Sequence, residues 1–289
     1  MQHNNNSNRK TALILEGGAM RGLFSAGVMD VMLEHGIQFD GCAGISAGAT
    51  FGCNYKSRQI GRVLRYNKQY SKDPRFCSFR SLIKTGDLYG AEFCYYTLPD
   101  ELDIFDKETF KNNPMKFYVG ATDVNTGRIT FHLCSDGEHE DVEWMRASAS
   151  MPLVSRPVAI DGHSYLDGGI SDSVPYKFME NRGYNRNVIV LTQPLGYRKK
   201  KLRFSKVIKV LMKKYPAVAK AMSRRYIMYN KQMRDIEKRE ANGTSIVIRP
   251  PQPLGIKRTE KNTDELERVY QLGRAEAEKR IEDIQGFLG

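Results

Sequence analysis

The 289-residue chain has no apolar run approaching 18 residues, so no stretch has the length and character of a membrane-crossing helix. Its first ten residues, MQHNNNSNRK, lack the apolar core of a cleaved leader and are expected to form a disordered tail. Cysteine is sparse. Cys42, Cys53, Cys77, Cys94 and Cys134 are odd in number and no two stand three apart, so neither a disulfide framework nor a zinc ribbon is expected. A reducing, cytoplasmic compartment fits best, with secretion by a route lacking a cleaved leader left open. Histidine is confined to His3, His35, His132, His139 and His163, and the last 126 residues contain none. That absence excludes the α/β-hydrolase order of nucleophile, acid, then histidine. There are no internal repeats, and no low-complexity tract beyond the asparagine-rich start.

What is present is a globular composition, 40% hydrophobic and 27% charged, long enough for a full core. The net charge of +12 is unevenly placed. Residues 197–240 hold 16 Lys and Arg against Asp235, Glu237 and Glu240, a local +13, which leaves the remainder near −1.

TALIL, ended by EGG, has the character of a buried strand entering a loop. GLFSAGVMDVMLEHG follows with helical spacing and a glycine stop at Gly36. QFDGCAG is a second strand, and AGATFGCNYKS after Ser46 a second helix. Strand, loop, helix, strand, tight turn, helix predicts a mostly parallel sheet covered by helices. MKFYVGATDV and RITFHLC flank Asn125-Thr126-Gly127 as a hairpin, and VAI and SYL flank another. DVEWMRASAS is expected to be helical, as is Val174 to Arg182, and NVIVLTQP a strand. Beyond Pro194 come two basic amphipathic helices (about 200–214 and 216–240), the strand SIVIRP, and a charged helix to Leu288. The expected organisation is a tail over 1–10, a catalytic domain over 11–195 and a basic, mainly helical region over 196–289.

Three short motifs carry chemistry. Ser46 lies in Gly44-Ile45-Ser46-Ala47-Gly48, between a strand and a helix. Glycines on both flanks permit a sharp turn that exposes the hydroxyl, and the helix that follows aims its positive end at a reacting oxygen. EGGAMRG places Gly17, Gly18 and Ala19 where consecutive N–H groups can face one anion, ahead of a helix that begins at Gly22. The same glycines also serve a purely structural turn. A dinucleotide fingerprint wants an acid at the far end of the second strand, and Asp40 stands at the near end. Asp167-Gly168-Gly169 follows the strand SYL and is either a plain turn or the place of a base. With histidine excluded, Ser46 and Asp167 form the better pair. Arg21 is a candidate for steadying the glycine loop, contacting a phosphate, or making a surface ion pair.

A glycine-rich loop, Gly-x-Ser-x-Gly and Asp-Gly-Gly occur in that order, and RASASMPLVSRPVAIDGHSYLDGGI leads into the aspartate. In these features the chain resembles the patatin-like phospholipase family over roughly residues 11–195. The resemblance implies a three-layer α/β/α sandwich and a catalytic dyad, Ser46 as nucleophile and Asp167 as base. Gly17, Gly18 and Ala19 then supply the oxyanion hole, with Arg21, Gly22, Gly44, Gly48, Gly168 and Gly169 supporting the motifs. It implies hydrolysis of acyl esters, often phospholipids or lysophospholipids, with no metal and no cofactor. Two positions depart from the family. Ala19 stands where a third glycine is usual, and is strained if that position needs positive φ; Asp172-Ser173 stand where an asparagine is common.

Two other classes fit parts of the chain: a catalytically silent scaffold on the same frame, and a nucleic-acid-binding protein using the basic segment. The latter lacks a recognisable recognition module. The expected partners are a lipid or acyl-ester substrate and the surface of an anionic membrane, met by the basic segment. Phe204, Val207, Ile208, Leu211 and Tyr215 form one apolar stripe, and Val218, Met222, Tyr229, Met233 and Ile236 another. Each stripe either faces a membrane or packs on the catalytic domain.

Overall fold

The computed structural model describes residues 9–202 and 205–289. Most of the expected tail (residues 1–8), together with Arg203 and Phe204, lies outside the described residues. In chain order the elements are β1 (Lys10–Leu15), α1 (Gly22–Glu34), β2 (Gly41–Ile45), α2 (Ala47–Lys56), α3 (Arg62–Tyr70), α4 (Phe79–Thr85) and a π-helical segment, Phe93–Leu102. Then follow α5 (Lys107–Asn112), β3 (Lys116–Asp123), β4 (Ile129–Cys134), α6 (His139–Ala149), β5 (Val158–Ile160), β6 (His163–Asp167), α7 (Tyr176–Glu180) and β7 (Tyr184–Val190). The chain ends with α8 (Ser205–Leu211), α9 (Pro216–Ala241), β8 (Ser245–Ile248), α10 (Thr263–Glu278) and α11 (Ile281–Leu288).

One eight-stranded sheet has the order β5-β6-β3-β2-β1-β7-β8, with β4 also paired to β3. From β3 to β8 the neighbours are parallel; β4, β5 and β6 are antiparallel additions. The central strand β1 shows why its sequence is apolar throughout. Leu13 and Leu15 enter the large core shared with α1, α2 and α10, while Ala12 and Ile14 enter a second core with α7 and α9. Successive side chains leave opposite faces of a strand, so a strand covered on both faces must be apolar at every position. The fold is therefore the expected α/β/α sandwich with a mostly parallel sheet.

The strand–helix–strand–helix opening, the two hairpins and the strand around Ser245 form where expected. In the β5–β6 turn, Asp161 and Gly162 both take positive φ, +49° and +76°, as a two-residue hairpin requires. The charged C-terminal helix is interrupted at Arg280 (φ −119°), and Ile281 and Ile284 turn into the core. α8 is shorter than the helix expected over 200–214, whereas α9 spans its expected range and begins with Pro216 in the first turn.

Residues 196–289 supply structural parts of the sandwich. β8 extends the sheet beside β7, and α9 lays Tyr229, Met233 and Ile236 over the second face. α10 crosses α1 with the two backbones in contact: a methyl on Gly27 would fall 2.1 Å from the Tyr270 carbonyl oxygen, and one on Gly273 would fall 2.0 Å from that of Phe24. The α9 stripe thus packs on the domain. On α8, Val207, Val210 and Leu211 are exposed; so are Phe79 and Ile83 on α4, a helix with no buried residue. No helix among the described residues is long and apolar enough to cross a membrane.

Candidate active site

β2 ends at Ile45 and α2 begins at Ala47, so the whole reversal falls on Ser46, which adopts φ 56°, ψ −121°. A non-glycine residue held there is strained by roughly 1–3 kcal/mol. The flanking glycines are demanded by contact: a methyl on Gly44 would meet the Gly48 carbonyl oxygen at 2.2 Å, and one on Gly48 that of Leu15 at 2.5 Å. The Ser46 N–H donates to Ser148 Oγ at 2.8 Å, and Ser148 in turn donates to the Gly120 carbonyl at 2.7 Å. Ser148, fully buried in α6, therefore clamps the turn to β3.

The glycine loop lies directly over this turn. A methyl on Gly17 would stand 2.8 Å from the Ile45 carbonyl oxygen and 2.9 Å from Ser46 Cβ; one on Gly18 would meet Thr192 Oγ1 at 2.8 Å; one on Gly22 would meet Ala47 Cβ at 2.8 Å. Among the described residues, the N–H groups of Gly17, Gly18 and Ala19 find no protein acceptor. Ala19 takes φ +49°, so the strain anticipated for an alanine there is present. Glu16, 1% exposed, ties the loop down by accepting from the Thr192 N–H at 2.7 Å and the Tyr229 hydroxyl at 2.8 Å.

Asp167, the last residue of β6, is 6% exposed and lies beside Ser46. Its Oδ1 accepts the Gly169 N–H at 2.8 Å, and its carbonyl accepts Thr122 Oγ1 at 2.9 Å. Gly168 packs on β3, where a methyl would fall 2.1 Å from the Gly120 carbonyl oxygen. Burial raises the Asp167 carboxyl above the ordinary carboxylate range, against the opposing pull of the Arg225 charge, the nearby Ser46 hydroxyl, the Gly169 N–H and the Arg258 charge. A carboxylate so displaced holds a proton more readily than a solvated one, as a general base must.

A mainly apolar cavity of about 160 Å³ opens at Ser46, walled by Met20, Phe51, Tyr66, Phe76, Leu98 and Met145 among others. Much of its wall comes from α3 and the π-helical segment. None of the histidines among the described residues lines it. His132 instead stacks on Trp144 and lies 2.8 Å from Asp141.

Among the described residues, His132, Cys134 and Asp141 are the one group of such side chains close enough to hold an ion, within 4.8 Å of one another. Asp141 already accepts the N–H groups of Ser135, Asp136 and Gly137, and burial pushes the Cys134 thiol well up. Those bonds fasten the turn between β4 and α6.

Every residue expected at the site converges on it. Sequence reasoning missed Glu16 and Ser148, and also Lys199, Arg225 and Arg258, which belong to the C-terminal region and whose charges act on this pocket. RASAS held a signal for Ser148, and for Lys199 and Arg225 only the basic character of residues 197–240 was visible; Glu16 and Arg258 carried no such signal.

A family model described as patatin-like phospholipase matches residues 13–179, and one described as a domain of unknown function (DUF6363) matches residues 215–289. The chain is 28% identical over 199 residues to the uncharacterized protein YjjU of Escherichia coli K12, covering 64% of this chain and 52% of that protein. It is 28% identical over 184 residues to lysophospholipase NTE1 of Lodderomyces elongisporus, covering 61% of this chain and 12% of that protein. The match thus takes in about half the length of the bacterial relative and a small part of the fungal one. Among solved structures, VipD from Legionella pneumophila aligns with a TM-score of 0.48 at 11% identity, covering 96% of this chain and 67% of that one.

Proposed function

The chain belongs to the patatin-like phospholipase family, and from that premise we propose that it is a serine acyl hydrolase that cleaves carboxylic ester bonds of lipids. The observation that carries this reading is the strained Ser46, lining an apolar cavity beside the buried Asp167 whose carboxyl its hydroxyl influences. The acyl chain enters that cavity and brings its ester carbonyl to Ser46. Asp167 takes the hydroxyl proton as Ser46 Oγ attacks the carbonyl carbon. The N–H groups of Gly17, Gly18 and Ala19 hold the oxyanion, where donors with no other acceptor act most strongly. The tetrahedral intermediate collapses to an acyl-enzyme, and the departing alcohol takes the proton from Asp167. Water then gives a proton to Asp167 and attacks the acyl carbon; Ser46 recovers its proton as the fatty acid leaves.

In this reading residues 11–195 form the catalytic unit, and 196–289 complete its sheet, cover its second face and add charge beside Asp167. The described cysteines are all free, which supports a reducing, cytoplasmic setting. The exposed apolar side chains of α4 and α8, interleaved with Arg80, Lys84 and Lys209, support contact with an anionic bilayer from which substrate is drawn. The test is labelling with a fluorophosphonate serine probe, mapping of the adduct, and a panel of acyl esters. Labelling of Ser46, with activity abolished by Ser46→Ala in a folded protein, is the expected result. An adduct on another serine, or activity retained by Ser46→Ala, contradicts the dyad.

A further inference from the structure

Four cations, Arg21, Lys199, Arg225 and Arg258, gather around Asp167 and Glu16. Arg225 of α9 is the nearest: a methyl on Gly169 would stand 2.9 Å from an Arg225 terminal nitrogen and 2.9 Å from Asp167 Oδ1. The guanidinium and the carboxylate are therefore at most twice that distance apart. Lys199 is held over the Tyr229 ring, its Nζ 3.3 Å from the centroid, while its backbone exchanges hydrogen bonds with the Asn230 side chain at 2.8 and 3.0 Å. Arg21 comes from the glycine loop. Arg258 comes from the loop before α10, and its carbonyl accepts the hydroxyl of Tyr89, a cavity-wall residue, at 2.9 Å. The charges of Arg225, Arg21 and Arg258 all act on Lys199, which burial first of all, and then these neighbours, push down to about 7 against the pull of Glu16.

None of the four cations makes an ion pair among the described residues, and the two acids of the cluster are already engaged, Glu16 by Thr192 and Tyr229, Asp167 by the Gly169 N–H. Solvated surface charges need no partner, but these are not all solvated. The Nε atoms of Arg21 and Arg225 are shut off from water with no acceptor. A buried donor left unpaired is costly, and a ligand offering oxygen atoms would relieve that cost. Tetrahedral, multiply anionic oxygen is the chemistry that paired guanidinium groups bind best.

We propose that Arg21, Lys199, Arg225 and Arg258 form a seat for the phosphate of an acyl ester's head group, assembled largely by the C-terminal region beside the reacting pair. The head-group assignment rests on the acyl-hydrolase reading above. The cavity then takes the acyl chain and the seat takes the phosphate, which selects an amphiphile with both.

Two measurements on the full chain test this. The first titrates glycerol phosphate and inorganic phosphate into Ser46→Ala by calorimetry. Saturable binding of glycerol phosphate is expected, weakened about tenfold or more by adding Arg225→Gln or Arg258→Gln and largely kept by Arg225→Lys. No binding overturns the seat. The second compares kcat/KM for an acyl-glycerol phosphate with that for a monoacylglycerol of the same chain. The phosphate ester should be preferred, and the ratio should fall roughly tenfold in Arg225→Gln and in Arg258→Gln. Equal losses on both esters would leave Arg225 acting only through Asp167 and overturn the proposal. Inorganic phosphate binding as tightly as glycerol phosphate, with no preference between esters, would make this a seat for free phosphate and overturn it too. Intact glycerol phosphate binding in a protein that hydrolyses no ester would refute the hydrolase reading and leave the seat standing.

Discussion

Replacing Ser46 by glycine should make the protein more stable than replacing it by alanine, although both variants lose the hydroxyl. Both substitutions delete the hydroxyl and keep the N–H bond to Ser148, so their difference isolates the Cβ at φ 56°, ψ −121°. That conformation lies outside the left-handed helical region and is open essentially to glycine, so the strain is about 1–3 kcal/mol. Glycine returns about 0.5–1 kcal/mol of this through the greater freedom of its unfolded chain. The balance is roughly 1 kcal/mol in favour of Ser46→Gly, which for a chain of this size is a rise of about 2–4 °C in Tm. Thermal unfolding followed by calorimetry reads it directly. Ala19→Gly is the internal control: at φ +49° an alanine carries about 1 kcal/mol of strain, which the entropy of glycine nearly cancels, so its Tm should barely move. Equal melting temperatures for Ser46→Gly and Ser46→Ala, or a lower one for glycine, would refute the claim that fold stability is stored as strain at the nucleophile.

Asp172 is held up at about 6 by burial, opposed by the Gln232 side chain at 2.6 Å, the Val174 N–H and the Lys177 charge. The proton it keeps on folding stabilises the protein below the ordinary value of 3.8, and that contribution is lost as pH rises through about 6; Asp172→Asn should therefore gain on the order of 2 kcal/mol at pH 8 and almost nothing at pH 3.5, read from urea midpoints. Gly27→Ala and Gly273→Ala should each destabilise by about 2–3 kcal/mol or more in the same assay, since the added methyl meets backbone that cannot step aside. Sedimentation with anionic vesicles should fall when Phe79 and Ile83 are changed to Ser, or when Lys209, Lys213 and Lys214 are changed to Glu, and neutral vesicles should bind less from the outset; equal binding to both lipids would leave α4 and α8 as ordinary solvated structure. Ester hydrolysis should withstand EDTA, and a chelator-sensitive enzyme restored by one divalent ion would contradict a reaction run by Ser46 and Asp167 alone.

The reacting centre was legible because its constraints are local. A serine forced onto a strand-to-helix reversal needs small neighbours, and Gly44 and Gly48 announce that; β1 needs apolar residues at every position, and TALIL announces that. The cavity wall was not legible. Its lining is drawn from several separate elements, and one of them, the π-helical segment, carries Pro99 where a regular helix would not. The α9 stripe was visible, but a stripe does not say what it covers: the same spacing serves a membrane surface or the back of a sheet, and here Val218, Tyr229, Met233 and Ile236 are buried against the domain. Lys199 and Arg225 looked like parts of a diffuse basic stretch, and Arg258 like an isolated loop charge, because they meet Arg21 only after the chain has folded back through α9 and the loop before α10.

The far layer of the sandwich comes from the far end of the chain, and synthesis has a direction. Ser46 leaves the ribosome early, yet β1 lacks its partner β7 until Val190 is made, and Ala12, Ile14 and Ala43 lack their cover until α9 has delivered Ile236. At about 5–20 residues per second, the nucleophile waits roughly 10–40 seconds between its own appearance and the closing of that layer. For that interval the nascent chain carries an apolar sheet with one bare side and a serine whose base has no settled place. Its hazard is aggregation, which lasts until the last third of the protein exists.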